Sequence, residues 1–299
     1  MNIRQFNRIV EIRTKIISMG TFLCGSLYAV AATGSWSWTR FFLMAVAVLA
    51  VDMGTTGFNS YFDYTSGTDR AELNFERDKV LVHEGVSPHI ALAISLTLFG
   101  IAAILGLILA SLTSWYLIPA GAVCMAVGFF YTGGPMPISR TPFGELFAGG
   151  FLGTILFMLS YYVQTLSVSF PSFIVSLPLL LLIGLILTVN NTCDRVADKA
   201  AGRKTLSILL SERSVRVLMH GTLFISYLLP IIFALTQLVP LAVVPFMIIA
   251  YIPAINSMRH MQKQGFSLHT KGASMNRISQ LFLLYCVAFI FGLLGVFVS

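Results

Sequence analysis

Long apolar runs separated by short polar loops constrain this chain more than any other feature of its sequence. A helix of roughly 17–25 apolar residues crosses the hydrocarbon core of a bilayer, and the runs have about that length. Apolar residues make up 57% of the chain and charged residues only 10%, which excludes an ordinary soluble domain. We therefore expect an all-α integral membrane protein, a single polytopic domain over residues 1–299. Its nine predicted transmembrane helices have approximate limits of 16–34, 40–62, 88–111, 114–132, 144–166, 171–193, 214–236, 239–257 and 278–298.

The basic residues predict how these helices are oriented. Of the 19 Lys and Arg residues, all except Arg40 fall before the first run or in the loops after the second, fourth, sixth and eighth runs. Because cytoplasmic loops are rich in Lys and Arg, we expect the N-terminus and these loops to be cytoplasmic. This predicts a multi-pass protein of the cell (plasma) membrane. The net charge of +7 is no sign of nucleic-acid binding, since the basic residues lie in membrane-flanking loops without a nucleic-acid motif.

Two acidic motifs follow apolar runs, and each contains polar residues four positions apart. Residues so spaced lie on one face of a helix, and polar groups at the end of a membrane helix indicate a functional site. The similarity of the motifs also suggests a pseudo-repeat that relates spans 1–4 to spans 5–8, with span 9 added. The first motif contains Asn59, Asp63 and Asp69, and the second contains Asn190, Asn191, Asp194 and Asp198.

These residue types favour a magnesium and diphosphate site. Mg²⁺ prefers carboxylate oxygens and substrate phosphates, and neither motif contains a His. We interpret four carboxylates as metal ligands and catalytic residues: Asp63, Asp69, Asp194 and Asp198. The asparagines of both motifs are candidate substrate-binding residues. Nearby basic residues offer charge to a diphosphate: Arg77, Lys79, Arg203 and Lys204. Structural salt bridges and contacts with lipid headgroups are the alternative roles of these charged groups.

A loop rich in Gly and Pro follows the fourth apolar run and is too irregular for a helix. We interpret it as a tight turn that brings Tyr131 and Arg140 to the mouth of a cavity. There they are candidates to contact an aromatic substrate or its carboxylate. Anchoring at the membrane interface is the alternative. Asp52, inside the second run, is either a support for the site or a buried, hydrogen-bonded acid.

Three segments together resemble the UbiA-type intramembrane aromatic prenyltransferases, and the resemblance extends over nearly the whole chain. The segments are the motif from Asn59 to Asp69, the run Tyr131-Thr-Gly133-Gly134-Pro135, and the motif from Asn190 through Gly202-Arg203-Lys204-Thr205. A Lys271-Gly-Ala sequence precedes the last span. Asp69 lies six residues after Asp63, where many relatives have an Asp four residues after. The chain also lacks the Arg-Thr-x-x-Arg-Pro and Tyr-Pro-x-x-Lys-Arg patterns of the 4-hydroxybenzoate and haem O enzymes. Both of these absences favour the menaquinone-pathway branch.

The resemblance implies a nine-helix bundle around a central cavity, in which the two Asp-rich motifs bind Mg²⁺ and a polyprenyl diphosphate. It further implies prenylation of 1,4-dihydroxy-2-naphthoate with loss of its carboxylate, which gives demethylmenaquinone. Another aromatic acceptor, such as 4-hydroxybenzoate or homogentisate, is the first alternative. A secondary transporter is a remote alternative, which is considered because many spans and membrane-depth acids also occur in transporters. The sequence sets neither the prenyl chain length nor the oligomeric state.

Overall fold

The computed structural model describes residues 1–68 and 79–295, which are helical apart from short loops. A helix occupies each of the nine predicted spans in this part of the chain. We label them α1 (Ile16–Thr33), α2 (Trp38–Thr65), α3 (Pro88–Leu112), α4 (Leu117–Phe130), α5 (Gly144–Thr165), α6 (Phe170–Cys193), α7 (Glu212–Leu235), α8 (Val243–Gln264) and α9 (Lys271–Leu294). Short helices lie at Ile3–Ile9, Val80–His83, Arg195–Ala200 and Leu206–Leu209, with 3₁₀ turns at Ile12–Lys15 and Ile138–Arg140.

Within the described residues, seven helices are long and apolar enough to cross a membrane. The exceptions are α4, which has 14 residues, and α8, whose last turns carry Arg259 and Lys263. The all-helical membrane fold is thus confirmed, whereas nine crossings, a cytoplasmic N-terminus and the pseudo-repeat stay predictions.

The predicted limits of the last two spans were wrong. The helix α8 continues to Gln264 and α9 begins at Lys271, so the long loop expected at 258–277 is reduced to residues 265–270. Polarity marks where a helix leaves the hydrocarbon, but it does not end the helix. The end of α8 is set by Gly265, whose φ of 78° belongs to the left-handed region that glycine adopts at low energy.

The helix α6 lies at the centre of the largest buried core, where it packs against α1, α5, α7 and α9. Its contact with α5 is unusually close, because a Cβ at Gly153 would lie 2.6 Å from the backbone nitrogen of Leu180. There α5 widens into a π-helical segment, Gly149–Ile155, a local distortion often found beside functional sites. This packing fixes the end of α6, from which the second acidic motif projects.

Asp52 lies in a buried ion pair between α2 and the start of α1. The Lys15 ammonium donates to Asp52 Oδ1 at 2.6 Å and to Thr56 Oγ1 at 2.6 Å. The Ser18 hydroxyl donates to Asp52 Oδ2, also at 2.6 Å. Both carboxylate oxygens therefore have partners, which matches the interpretation of Asp52 as a buried, hydrogen-bonded acid.

Candidate active site

The second acidic motif is shaped by a sharp turn after α6. The backbone N–H of Asp198 donates to the Asp194 carbonyl at 2.8 Å, which continues the helical path into the short helix Arg195–Ala200. Gly202 then adopts a φ of 72°, and the N–H of Arg203 returns to the Asp198 carbonyl at 2.9 Å. A side chain at position 202 would strain this left-handed turn. The turn therefore brings Arg203 back beside Asp198.

Arg203 joins the two acidic motifs. Its Nη2 donates to Asp63 Oδ1 at 2.9 Å, and its Nη1 lies 3.2 Å from Asp198 Oδ1. Asp63 lies in the last turn of α2, whereas Asp198 follows α6. One guanidinium therefore holds the carboxylates of two distant segments close together.

A second basic residue neutralises Asp194. The Lys271 ammonium donates to Asp194 Oδ2 at 2.8 Å from the first turn of α9. The sequence interpretation did not include Lys271 among the site residues. Its only signal in the sequence was the Lys271-Gly-Ala segment of the family resemblance, which names no partner for it.

The cluster is deeply buried but incompletely hydrogen-bonded. The side chains of Arg203 and Asp198 are 12% and 5% exposed. Asp198 Oδ2 and Arg203 Nε are buried without a hydrogen-bond partner among the described residues. Burial raises the pKa of Asp198 from 3.8 to about 6, although the neighbouring Arg203 charge opposes this shift. Because an unsatisfied buried polar group costs about 1–3 kcal/mol, these atoms indicate the place of a polar ligand.

The loop between α4 and α5 connects the two motifs by further hydrogen bonds. It is irregular, as predicted, and its Ser139 N–H donates to the Tyr131 carbonyl at 2.9 Å. The Arg140 guanidinium donates to Thr68 Oγ1 at 3.1 Å, and the Arg140 carbonyl accepts from the Lys204 N–H at 2.9 Å. Arg140 thus contacts the C-terminal part of both motif segments, at Thr68 and at Lys204. Tyr131 is half-buried near the start of α5, where its hydroxyl lies 3.5 Å from the Cβ position of Gly144.

The asparagines of the two acidic motifs make hydrogen bonds to residues other than Arg203 and Lys271. Asn59 Oδ1 accepts from the Thr132 hydroxyl at 2.6 Å, which holds α2 to the loop after α4. Asn191 donates to Glu145 Oε1 at 2.9 Å inside the bundle, so it fastens α6 to α5. Asn190 is half-buried one turn before Asp194 and accepts its N–H through the backbone carbonyl at 3.0 Å.

The remaining predicted basic residues differ in position. The Lys79 ammonium lies 3.4 Å from Glu11 Oε1, so this ion pair ties it to the N-terminal segment. The Lys204 side chain is exposed beside Arg203. Asp69 and Arg77 lie outside the described residues. Across residues 1–68 and 79–295, no three His, Cys, Asp or Glu side chains form a ready-made metal cluster.

Comparison with protein families gives a match over residues 18–268 to the UbiA prenyltransferase family. The chain is 37% identical over 188 residues to the 1,4-dihydroxy-2-naphthoate octaprenyltransferase of Bacillus subtilis, covering 63% of this chain and 60% of that enzyme. The enzyme of the same name from Mycobacterium tuberculosis is 30% identical over 212 residues, covering 69% of this chain and 72% of the relative. Human UbiA prenyltransferase domain-containing protein 1 is 28% identical over 254 residues, covering 81% of this chain and 70% of the human protein.

Solved structures support the same fold at lower sequence identity. A digeranylgeranylglyceryl phosphate synthase structure superposes with a TM-score of 0.67 at 17% identity, covering 98% of this chain and 99% of that one. A UbiA homolog from Archaeoglobus fulgidus, bound to DMAPP and Mg²⁺, superposes with a TM-score of 0.61 at 13% identity. The match covers 96% of this chain and 99% of that one. At such identities the likeness establishes the architecture alone.

Proposed function

Because the chain belongs to the UbiA prenyltransferase family, we propose that it transfers a polyprenyl group from a polyprenyl diphosphate to 1,4-dihydroxy-2-naphthoate. Loss of the ring carboxylate as CO₂ would then give demethylmenaquinol, the two-electron reduced form of demethylmenaquinone. The observation that carries the proposal is the buried Asp63–Arg203–Asp198 arrangement, with its unsatisfied oxygen at the junction of the two motifs. The two dihydroxynaphthoate octaprenyltransferase relatives support the choice of acceptor.

The carboxylates at this junction suit Mg²⁺. The free Oδ2 of Asp198 and the oxygens of Asp63 and Asp194 are hard ligands, and Mg²⁺ usually binds one or two carboxylates together with substrate phosphates. When bound, Mg²⁺ neutralises the charge that develops on a departing diphosphate. Asp69, which lies outside the described residues, stays a proposed fourth ligand.

In this proposal Arg203 and Lys271 have two functions. In the metal-free protein their charges relieve the repulsion among Asp63, Asp194 and Asp198. When a diphosphate binds, the same cations are close enough to the site to donate hydrogen bonds to its oxygens, since Arg and Lys are the common phosphate-binding side chains. We propose Arg77, Lys79 and Lys204 as further contacts of the diphosphate, and Asn59, Asn190 and Asn191 as residues that position the two motifs.

Aromatic rings next to Asp63 would protect an allylic carbocation from water. Phe62 precedes Asp63 and packs against Phe58, with ring centroids 6.4 Å apart, and against Phe129 at 5.4 Å. An apolar, water-poor surface prevents quenching of a reactive intermediate. The apolar tail of the donor would extend from this surface between the helices.

The acceptor would enter from the side of the loop between α4 and α5. Arg140 offers a planar guanidinium that suits the carboxylate of dihydroxynaphthoate, and Tyr131 offers an aromatic ring. Since Arg140 contacts the C-terminal part of both motif segments, an acceptor held there would lie beside the leaving diphosphate. We place this reaction at the cytoplasmic face of the plasma membrane, in agreement with the distribution of basic residues.

A competition assay tests the proposal. Purified protein in proteoliposomes would receive Mg²⁺, a polyprenyl diphosphate and equal amounts of dihydroxynaphthoate, 4-hydroxybenzoate and homogentisate. We expect prenylated naphthoquinol and released CO₂, and neither when EDTA replaces Mg²⁺. Preferential prenylation of another acid would overturn the acceptor assignment. Absence of every prenylated product would overturn the enzymatic proposal.

A further inference from the structure

A groove with a volume of about 470 Å³ lies between α7 and α8, apart from the acidic motifs. On α7 its lining follows one face of the helix, because Arg213, Arg216, His220 and Phe224 succeed one another at intervals of three or four residues. Its polar residues are at one end and its apolar residues are at the other. The groove is therefore amphipathic along its length.

The polar end carries two guanidinium groups that are free to bind an anion. Arg213 and Arg216 are exposed in the first turns of α7, and neither has an ion-pair partner in the described part of the chain. They are three residues apart, so both can reach one anion. A phosphate is the anion that this pair of guanidinium groups suits best.

His220 lines the middle of the groove and is bound to Gln262, a residue of α8 outside the lining. His220 Nε2 lies 2.9 Å from Gln262 Oε1 of α8, so the imidazole donates to the amide oxygen. The amide nitrogen of Gln262 is buried and has no acceptor among the described residues. The His220 imidazole is held in place by its bond to Gln262, and it is the polar group that an ester or glycerol oxygen entering the groove would meet at this depth.

The far end of the groove is apolar and open to the side. Phe224, which is 50% exposed, meets Tyr251 of α8 with ring centroids 6.3 Å apart. The space beside Gly221 is open, because a Cβ added there would have no atom within 4 Å. The glycine has no side chain to fill this part of the groove. Such a surface fits a hydrocarbon chain better than a soluble phosphate compound, since the lining at this end has no charged group.

The groove lies at the same membrane face as the acidic motifs. The helix α7 begins at Glu212, directly after the segment that carries Asp198 and Arg203. The guanidinium of Arg195 donates to the Leu210 carbonyl at 3.0 Å and closes that segment against the start of α7. The Arg213 and Arg216 pair is thus at headgroup level beside the candidate active site.

From this arrangement we propose that the groove binds one anionic phospholipid. Its phosphate contacts Arg213 and Arg216, its glycerol region lies at His220, and an acyl chain follows Gly221 and Phe224. Bound lipid stabilises the start of α7 and, through it, the segment that carries Arg203. This inference is independent of the reaction assigned to the acidic motifs.

Lipid binding can be measured with purified protein in neutral detergent, titrated with phosphatidylglycerol or phosphatidylcholine and followed by native mass spectrometry and thermal unfolding. We expect tighter binding and a larger rise in Tm with phosphatidylglycerol. Removal of two charges worth about 1 kcal/mol each predicts roughly 25-fold weaker binding for Arg213→Gln/Arg216→Gln. Arg259→Gln removes an exposed charge near the end of α8, outside the groove, and serves as the matched control with unchanged binding.

The variant Gly221→Leu separates the groove from its charge. It fills the open space of the acyl-chain end and preserves both arginines, so we expect weaker binding of phosphatidylglycerol without loss of folded protein. Soluble glycerol 3-phosphate should not displace the lipid, because it lacks the acyl chain. Full lipid affinity in Gly221→Leu, equal loss in Arg259→Gln, or displacement by glycerol 3-phosphate would each overturn the proposal.

Discussion

The helix α2 takes part in two buried ion-pair clusters that differ in how completely their hydrogen bonds are made. In the first, Asp52 accepts through both oxygens, from Lys15 and Ser18. In the second, Asp63 and Asp198 share Arg203, and Asp198 Oδ2 and Arg203 Nε have no partner among the described residues. Both clusters are largely withdrawn from solvent, so burial alone does not distinguish them.

The difference separates a structural role from a binding role. A cluster whose donors and acceptors are all satisfied has no capacity for a ligand, and it holds α2 against the start of α1. A cluster with unsatisfied buried atoms lowers its free energy when a ligand supplies the missing contacts. This comparison supports Asp63 and Asp198 as ligand-binding acids and Asp52 as a packing element.

The largest effect is expected when a carboxylate of the incomplete cluster loses its charge. Asp63→Asn or Asp198→Asn should lower kcat about 10³-fold, in line with the loss of one electrostatic contact to developing charge. Each variant should keep its fold, because Asn preserves shape and hydrogen-bonding capacity. Initial rates of prenyl transfer with saturating Mg²⁺ check this, with yield of monodisperse protein as the control. Rates within tenfold of wild type would remove these acids from the mechanism.

In the complete cluster the corresponding change should damage stability rather than catalysis. Lys15→Met leaves the Asp52 carboxylate buried without its cation, which should reduce the free energy of unfolding by about 3–5 kcal/mol. The double variant Lys15→Met/Asp52→Leu should recover much of the loss, since it removes both charges. Thermal unfolding in detergent measures both variants. A stable Lys15→Met variant with greatly reduced kcat would reverse the distinction between the clusters.

Arg203 should show that a protein cation and Mg²⁺ compete for the same acids. Without substrate, Arg203→Gln should bind Mg²⁺ at least about threefold more tightly, because the competing charge is gone. With substrate, the KM for the prenyl diphosphate should rise about tenfold, since a charged hydrogen bond contributes about 1.5–3 kcal/mol. Calorimetric Mg²⁺ titration and steady-state kinetics measure the two effects. Arg259→Gln, an exposed position outside both sites, is the matched control, and weaker Mg²⁺ binding in Arg203→Gln would contradict the competition.

The smallest effect concerns pH. Burial raises the pKa of Asp198 to about 6, so below that pH the carboxyl takes up a proton and its affinity for Mg²⁺ should fall by up to tenfold per pH unit. The effect of pH on folding stability is opposite to its effect on Mg²⁺ affinity. Because the folded pKa lies above the usual value of 3.8, this group stabilises the metal-free protein fully below about pH 4, and that contribution is lost as the pH rises through 6.

Mg²⁺ titrations and thermal unfolding of metal-free protein would measure both trends. A range of about pH 4.5 to 7.5 includes the raised pKa of Asp198. Asp198→Asn should flatten both profiles. An unchanged pH dependence in that variant would assign the titration to another group.

The sequence was sufficient for the membrane fold and for the elements that carry the acids. Apolar runs locate helices because the bilayer requires backbone hydrogen bonds to be satisfied within each span. The same argument placed the ends of α8 and α9 wrongly, because helices continue beyond the hydrocarbon until a residue such as Gly265 ends them. Spacing within each motif identified Asp63, Asp194 and Asp198 as residues near helix ends.

The partners of the acids could not be read from the sequence. Arg203 reaches both motifs only because Gly202 reverses the chain, and Lys271 meets Asp194 only because α9 begins seven residues earlier than predicted. Asn191 was grouped with the substrate-binding residues, but its bond to Glu145 depends on how α5 packs against α6. Contacts between distant segments follow from the packing of the bundle, and no local pattern encodes them.

The central claim is that the unsatisfied cluster at the end of α2 binds a metal together with a diphosphate. Electron paramagnetic resonance of Mn²⁺ measures this directly, in the presence of geranyl S-thiolodiphosphate as a slowly ionising donor. We predict diphosphate-dependent Mn²⁺ binding in wild type and in Ser18→Ala, which alters the complete cluster, and its loss in Asp63→Asn and Asp198→Asn. Mn²⁺ bound equally by all four proteins would contradict the claim.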